Sequence, residues 1–223
     1  MALLQSSAAV LRKDFASELR TRYAVNALIM FVVTTLSIIL FALGGENVST
    51  EILAGLLWIV IFFAAMSGLS RTFVSEEERG TTMTLQLLAP PSSVYFGKLG
   101  FNVLLIISLS FFIVVLYLIF ISNFVVRSFD IFFVTLFLGG LGLAGASTII
   151  AAIIAKANTK GTLYPVLSFP VLLPLLLAVI NATKLSMEGA PFGEAMGEFQ
   201  LLVSYAVVVI TASYLLFDFI WKD

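Results

Sequence analysis

Residues 75–98 read SEEERGTTMTLQLLAPPSSVYFGK, a polar stretch set between two runs of nearly pure hydrocarbon side chains, 52–70 and 99–126. Three consecutive glutamates and an arginine, a Leu-rich segment, then Pro90 and Pro91 are more than a plain connector needs. What flanks the stretch decides the fold. Neither run carries a charged side chain, and each is long enough to cross a hydrocarbon core that takes about 20 helical residues. The polar stretch is therefore a loop between membrane helices.

The pattern extends over the whole chain. Of 223 residues, 61% are hydrophobic and 11% charged, and the mean hydropathy is +1.11. An ordinary soluble domain carries about a quarter charged residues. A soluble fold has no way to cover this much apolar surface, so lipid is the solvent for most of the chain. Six charge-free apolar runs, 23–45, 52–70, 99–126, 131–155, 161–183 and 199–217, place spans at about 24–44, 52–73, 99–121, 131–155, 162–182 and 199–220. Lipid leaves no backbone polar group satisfied unless the chain satisfies it, and the runs lack the alternating polar face of a barrel, so the spans are helices. The expected fold class is an all-α polytopic membrane protein with six transmembrane helices. Residues 1–223 form a single membrane domain, with no separate soluble one.

Cation placement orients the spans. With the N-terminus inside, Arg12, Lys13, Arg20, Arg22, Arg71, Arg79, Lys98, Lys156, Lys160 and Lys222 are cytoplasmic, and only Arg127 and Lys184 fall outside. This predicts two cytoplasmic termini and a cytoplasmic loop over 75–98. No cleavable signal pattern opens the chain.

Composition also excludes chemistry. Cysteine and histidine are absent, which removes disulfides, Cys/His metal sites, thiol catalysis and histidine acid–base work. The net charge of −1 gives no nucleic-acid signature. There is no GxxxxGK[ST], HExxH or GxSxG, and no pair of carboxylates lies within a span, so no enzyme activity is expected. No charge stands at mid-span, which weighs against ion-driven transport.

Before the first span, Leu4, Ala8, Leu11, Phe15 and Leu19 recur at helical spacing, with Lys13, Ser17 and Arg20 on the far side. Glu18 and Arg22 stand four apart, so they can pair. Residues 3–23 read as an amphipathic helix in the inner interface; the alternative is a frayed, anchoring extension. In the fourth span Gly140 with Ala144, and Gly142 with Ala146, are small-xxx-small pairs for close helix packing. Pro165, Pro170 and Pro174 predict a kink or break in the fifth. KANTKG (156–161) is a tight cytoplasmic turn. The external loop 184–198 has the Gly and Pro of an irregular segment, and Trp221 beside Asp218 suits an interface anchor.

In the opening stretch, residues 84–89 predict a short helix presenting Leu85, Leu87 and Leu88. Gly80 ends the helix before it, and Ser92 or Ser93 caps the one after. Held between two spans, such a helix is suited to receive force from a cytoplasmic partner; the alternative is a solvated connector.

The order acidic run, Gly80, Thr81, Leu87-Leu88, Pro90, Gly97-Lys98 resembles the coupling loop of type-2 ABC-transporter permeases. Four stretches together are similar to the cytochrome c maturation protein B family, the haem-exporter permeases: LRKDFASELRTR (11–22), LLWIVIFFAAMSGLSRTFVSEEERG (56–80), LFLGGLGLAGASTIIAAI (136–153) and LYPVLSFPVLLPLLLA (163–178). The resemblance implies a half-transporter in the bacterial inner membrane whose ATP is bound by a separate, CcmA-like maturation ATPase. That ATPase would dock on Glu76, Glu77, Glu78, Arg79, Gly80, Thr81, Leu85, Leu87, Leu88 and Pro90. CcmC- and CcmD-like membrane proteins, a CcmE-like haem chaperone on the outer face, a second copy in a homodimer and membrane lipid are the other implied partners. ATP hydrolysis in the partner would drive release of haem-loaded chaperone. Haem is then a handled or transported ligand rather than a cofactor bound here, in keeping with the missing His and Cys. The alternatives are a type-2 ABC exporter of a drug or polysaccharide precursor, and a membrane assembly protein without a transport cycle.

Overall fold

Each apolar run long enough to cross a bilayer contains a long helix in the computed structural model, which describes residues 2–21, 23–44, 46, 48–69, 71–156 and 164–222. In chain order the elements are α1 (Ala2–Thr21), α2 (Tyr23–Leu43), α3 (Thr50–Leu69), α4 (Arg71–Glu78), α5 (Thr82–Leu88), α6 (Pro91–Phe120), α7 (Phe129–Lys156), α8 (Tyr164–Glu188), a 3-10 turn at Phe192–Ala195 and α9 (Met196–Lys222). The described residues contain no strand. Six of the helical segments are long and apolar enough to cross a membrane. Six crossings return the chain to the side where it started. The bundle's terminal end therefore carries α1, α4 and α5, and the opposite end carries the turns after α2, α6 and α8.

Helix α7 is the centre. It packs on α6, α8 and α9 and touches α3 and α4. Its small residues make this contact close: Ala144 and Ala146 are fully buried, as is the neighbouring Leu143. A β-carbon on Gly142 would lie 2.2 Å from Leu175 of α8, and one on Gly140 would lie 3.3 Å from Ile106 of α6. Two further glycines, which the pairing rule did not select, are as tightly placed. A β-carbon on Gly139 would meet the Trp58 indole at 2.6 Å and Val179 at 2.7 Å, and one on Gly145 would meet Ile210 at 2.9 Å.

Without a hydrophobic force between helices in lipid, close packing and interhelical hydrogen bonds hold the bundle. Trp58 Nε1 of α3 donates to Thr183 Oγ1 of α8 at 2.8 Å, and Tyr117 Oη of α6 donates to the Leu53 carbonyl of α3 at 2.9 Å. The outer helices show large bare side chains, Phe41 of α2 at 83% exposure and Phe219 of α9 at 72%. On a water-soluble protein such a surface would be an aggregation hazard; here it faces lipid.

Several expected boundaries shift. Helix α6 starts at Pro91 rather than near 99, because Lys98 ends the apolar run without ending the helix. For the same reason α8 runs on to Glu188 and α9 begins at Met196, so the irregular part of the opposite-end loop shrinks to the turn at Gly189 and the 3-10 segment. Gly189 takes φ +79, and the Ala190 amide donates back to the Leu185 carbonyl. No break occurs in α8. Pro170 and Pro174 lie inside one continuous helix, and Pro165 sits in its first turn, where a missing N–H costs nothing. Trp221 does not sit at the bundle surface. It is 4% exposed, stacked on Phe217 with centroids 5.5 Å apart and edge-on to Phe73. The turn expected at 156–161 lies, beyond Lys156, outside the described residues, as does Arg22, the expected partner of Glu18.

Candidate docking site and the ionic cluster beneath it

Helix α4 ends on Gly80, whose φ of +66 is the left-handed conformation that glycine adopts without a β-carbon penalty. The Gly80 amide donates to the Glu77 carbonyl and the Thr81 amide to the Glu76 carbonyl, the paired bonds of a Schellman cap. Thr81 Oγ1 also donates to Glu76 Oε2 at 2.5 Å, which fixes the corner from the side-chain direction. The chain then turns into α5.

Rotation of about 100° per residue sorts α5 into two faces. Thr82, Leu85 and Ala89 are buried against the bundle, and Gln86 Nε2 donates to the Trp221 carbonyl in the last turn of α9. Met83, Leu87 and Leu88 point away, exposed by 77%, 88% and 78%. Beside them Glu77, Glu78, Arg79, Gly80, Thr81 and Pro90 are exposed, and Arg79 Nη1 donates to Ser17 Oγ of α1 at 2.8 Å. Two of the expected surface residues, Glu76 and Leu85, are instead buried. The same helical rotation that exposes Glu77 and Glu78 turns Glu76 into the bundle. The start of α6 also departs from expectation: Pro90 in extended conformation is the N-cap with no side-chain cap, and its carbonyl accepts from the Ser93 and Val94 amides. Ser93 is fully buried rather than capping.

Glu76 belongs to a cluster that sequence reading missed. Lys98 of α6 is 1% exposed. Its Nζ donates to Asp14 Oδ1 at 3.2 Å, to Glu76 Oε1 at 3.0 Å and to the Thr72 carbonyl at 2.8 Å, which satisfies all three ammonium donors. Lys13, half-exposed on α1, joins the same carboxylates. Two cations and two carboxylates leave the cluster neutral, the condition under which buried charges are tolerated. Phe73 covers it, its ring centroid 5.4 Å from the Lys98 ammonium.

Asp14 reaches this position because α1 packs on α6 through Ser7, Val10 and Asp14, with Leu11 of its apolar stripe beside them. A β-carbon on Gly97 would lie 2.7 Å from Val10, and one on Gly100 would lie 3.0 Å from Leu11, so two glycines make the groove in which α1 rests. Leu4 and Phe15 of the stripe stay exposed by 72% and 49%. Asp14 carried one readable signal: it stands seven residues after Ser7 and four after Val10, a second stripe at helical spacing.

Polar contact continues inward. Thr72 Oγ1 donates to Asn102 Oδ1 at 2.9 Å, Asn102 Nδ2 donates to Thr148 Oγ1 at 2.8 Å, and Thr148 donates to the Ala144 carbonyl at 2.7 Å. Among the described residues no group of three His, Cys, Asp or Glu side chains is placed to hold a metal ion.

The geometry is that of a polytopic membrane protein with an exposed apolar helix, braced from behind, at its terminal end. No curated protein matches the chain. The model of the CcmB protein family matches residues 5–218, from the first turn of α1 to near the end of α9, and the chain belongs to that family.

Proposed function

We propose that this chain is the membrane subunit through which a separate ATPase acts in cytochrome c maturation, with α5 and its flanking acidic corner as the docking site. The CcmB family is a family of haem-exporter permease components of that process, and six apolar helices suit a multi-pass inner-membrane protein. The observation that carries the finer reading is the outward face of α5. Met83, Leu87 and Leu88 expose apolar surface at a helix end of the bundle, while Leu85, Ala89, the Gly80 cap and the Gln86–Trp221 bond hold the helix rigid from behind. Apolar anchors rimmed by Glu77, Glu78 and Arg79 are the composition of a protein contact. A six-span topology assigns ten of the twelve cations to the side of this loop, which supports a cytoplasmic location under the positive-inside rule.

In this reading the CcmA-like ATPase binds ATP, the chain transmits its movement, and haem-loaded chaperone is released on the opposite face. CcmC- and CcmD-like proteins complete the assembly. The test is a strain carrying Leu87→Asp and Leu88→Asp. The ATPase should no longer co-purify while the protein remains inserted, haem-loaded chaperone should accumulate, and c-type cytochromes should be lost while b-type haem proteins persist. Apo-chaperone alone in that strain would favour direct haem export, and normal c-type cytochromes would refute the haem reading.

A further inference from the structure

Lys98 and Asn102 stand one turn apart on α6, on one buried face, and between them they touch three other helices. Lys98 holds Asp14 of α1 and Glu76 of α4. Asn102 holds Thr72 of α4 and Thr148 of α7. Both side chains are essentially closed to solvent, at 1% and 0% exposure. The four contacts form one line from the corner that carries α5 to the small-residue stripe of α7.

We propose that Lys98 and Asn102 are positioning residues that carry displacement of the docking segment, α4 and α5, to α1 and α7. The inference rests on α5 being the docking site. Its physical basis is the cost of the alternatives. Apolar contacts between helices in lipid permit sliding, because the surface exposed is covered again by lipid tails. The bonds at Lys98 and Asn102 do not. Moving α4 alone would leave an ammonium, a carboxylate or an amide unpaired in a dry site, and each such loss is expensive. The low-energy displacement is the one in which α4, α1 and the adjoining turns of α6 and α7 travel together. From α7 the movement reaches α3, α8 and α9 directly, since Gly139, Gly142 and Gly145 leave no slack against Trp58, Leu175 and Ile210.

The test uses the full complex with its ATPase in lipid nanodiscs. Because the chain has no native cysteine, a pair of spin labels can be placed, one at Ile38 of α2 and one at Phe137 of α7, both exposed apolar positions away from the polar line. In the wild type, ATP should shift the distance distribution between the two labels. Lys98→Met and Asn102→Leu should abolish the shift while the ATPase still co-purifies, since neither change touches the outward face of α5. Lys98→Arg, which keeps the cation and supplies five donors, should retain it. If Lys98→Met prevents folding, the Asp14→Asn/Glu76→Gln/Lys98→Met chain, with no unpaired buried charge, takes its place. A shift of wild-type size in Asn102→Leu and in the lysine variant overturns the inference, as does a wild-type complex that binds ATPase and shows no shift. An ATPase that fails to bind the wild type overturns the docking reading and this inference with it.

Discussion

Truncating Leu87 and Leu88 to alanine tests the docking surface by magnitude as well as direction. Both side chains are nearly free in the isolated chain, at 88% and 78% exposure, so removing them subtracts little from folding. Their burial under a partner is another matter. Full burial of a leucine side chain is worth about 1.5–3 kcal/mol, of which a retained β-carbon keeps part, so each truncation should cost binding roughly 1–2 kcal/mol. The pair then amounts to about 2–4 kcal/mol, or an affinity loss of about 30- to 700-fold at 1.4 kcal/mol per decade. The assay is titration of purified ATPase onto the chain in nanodiscs. Two controls locate the effect. Thr84→Ala, exposed but polar, should change affinity by less than about threefold, as most contacts at the edge of an interface do. Leu85→Ala, at 9% exposure, removes packing behind α5 and should lower the thermal stability of the chain. A double Leu→Ala chain that binds within about threefold of the wild type would refute the docking assignment, since no partner burying these side chains could ignore their loss.

Other features yield narrower tests. Gly139→Ala should destabilise the bundle by about 1–3 kcal/mol, because its β-carbon meets a rigid indole at 2.6 Å, whereas Gly140→Ala, 3.3 Å from the nearest atom, should be nearly silent in detergent thermal unfolding. Thr183→Val strands the buried Trp58 N–H and should cost about 1 kcal/mol, with a double Trp58→Phe/Thr183→Val chain losing less than the sum of the single changes. Single cysteines at Thr84 and Glu194, both exposed, should label from opposite sides of the intact inner membrane. Labelling from one side would remove the six-span topology. Ser186 would be a poor choice for that experiment, being fully buried with its carbonyl accepting from Arg127 and Ser128.

The spans were readable because hydrocarbon thickness imposes a length and charge interrupts it. Helix ends were less so. Lys98 stops the apolar run, yet the α6 helix began two turns earlier at Pro91, where the ring's fixed φ suits a first helical position. Within the candidate site, Gly80 and the short helix after it followed from local chemistry alone. The inward turn of Glu76 did not. Three adjacent glutamates are alike in one dimension, and only the rotation of α4 against α6 separates the paired one from the two exposed. Lys98 and Asp14 are 84 residues apart, so neither charge announces the other. Gly139 and Gly145 escaped for a related reason: the four-residue spacing rule finds small residues on one helix face, while α7 is covered on every side over 139–152.

The same separation of 84 residues sets an order of assembly during synthesis. The groove that receives α1 is built from Gly97 and Gly100, and the ammonium that neutralises Asp14 belongs to Lys98. None of these exists when α1 leaves the ribosome. At about 5–20 residues per second the wait is roughly 4–17 s, during which α1 rests at the membrane surface with Asp14 hydrated and only the neighbouring Lys13 for company. Seating of the N-terminal helix is thus a late event that reports arrival of the third span. A chain stalled before α6 is complete would carry a loose, protease-accessible amino terminus.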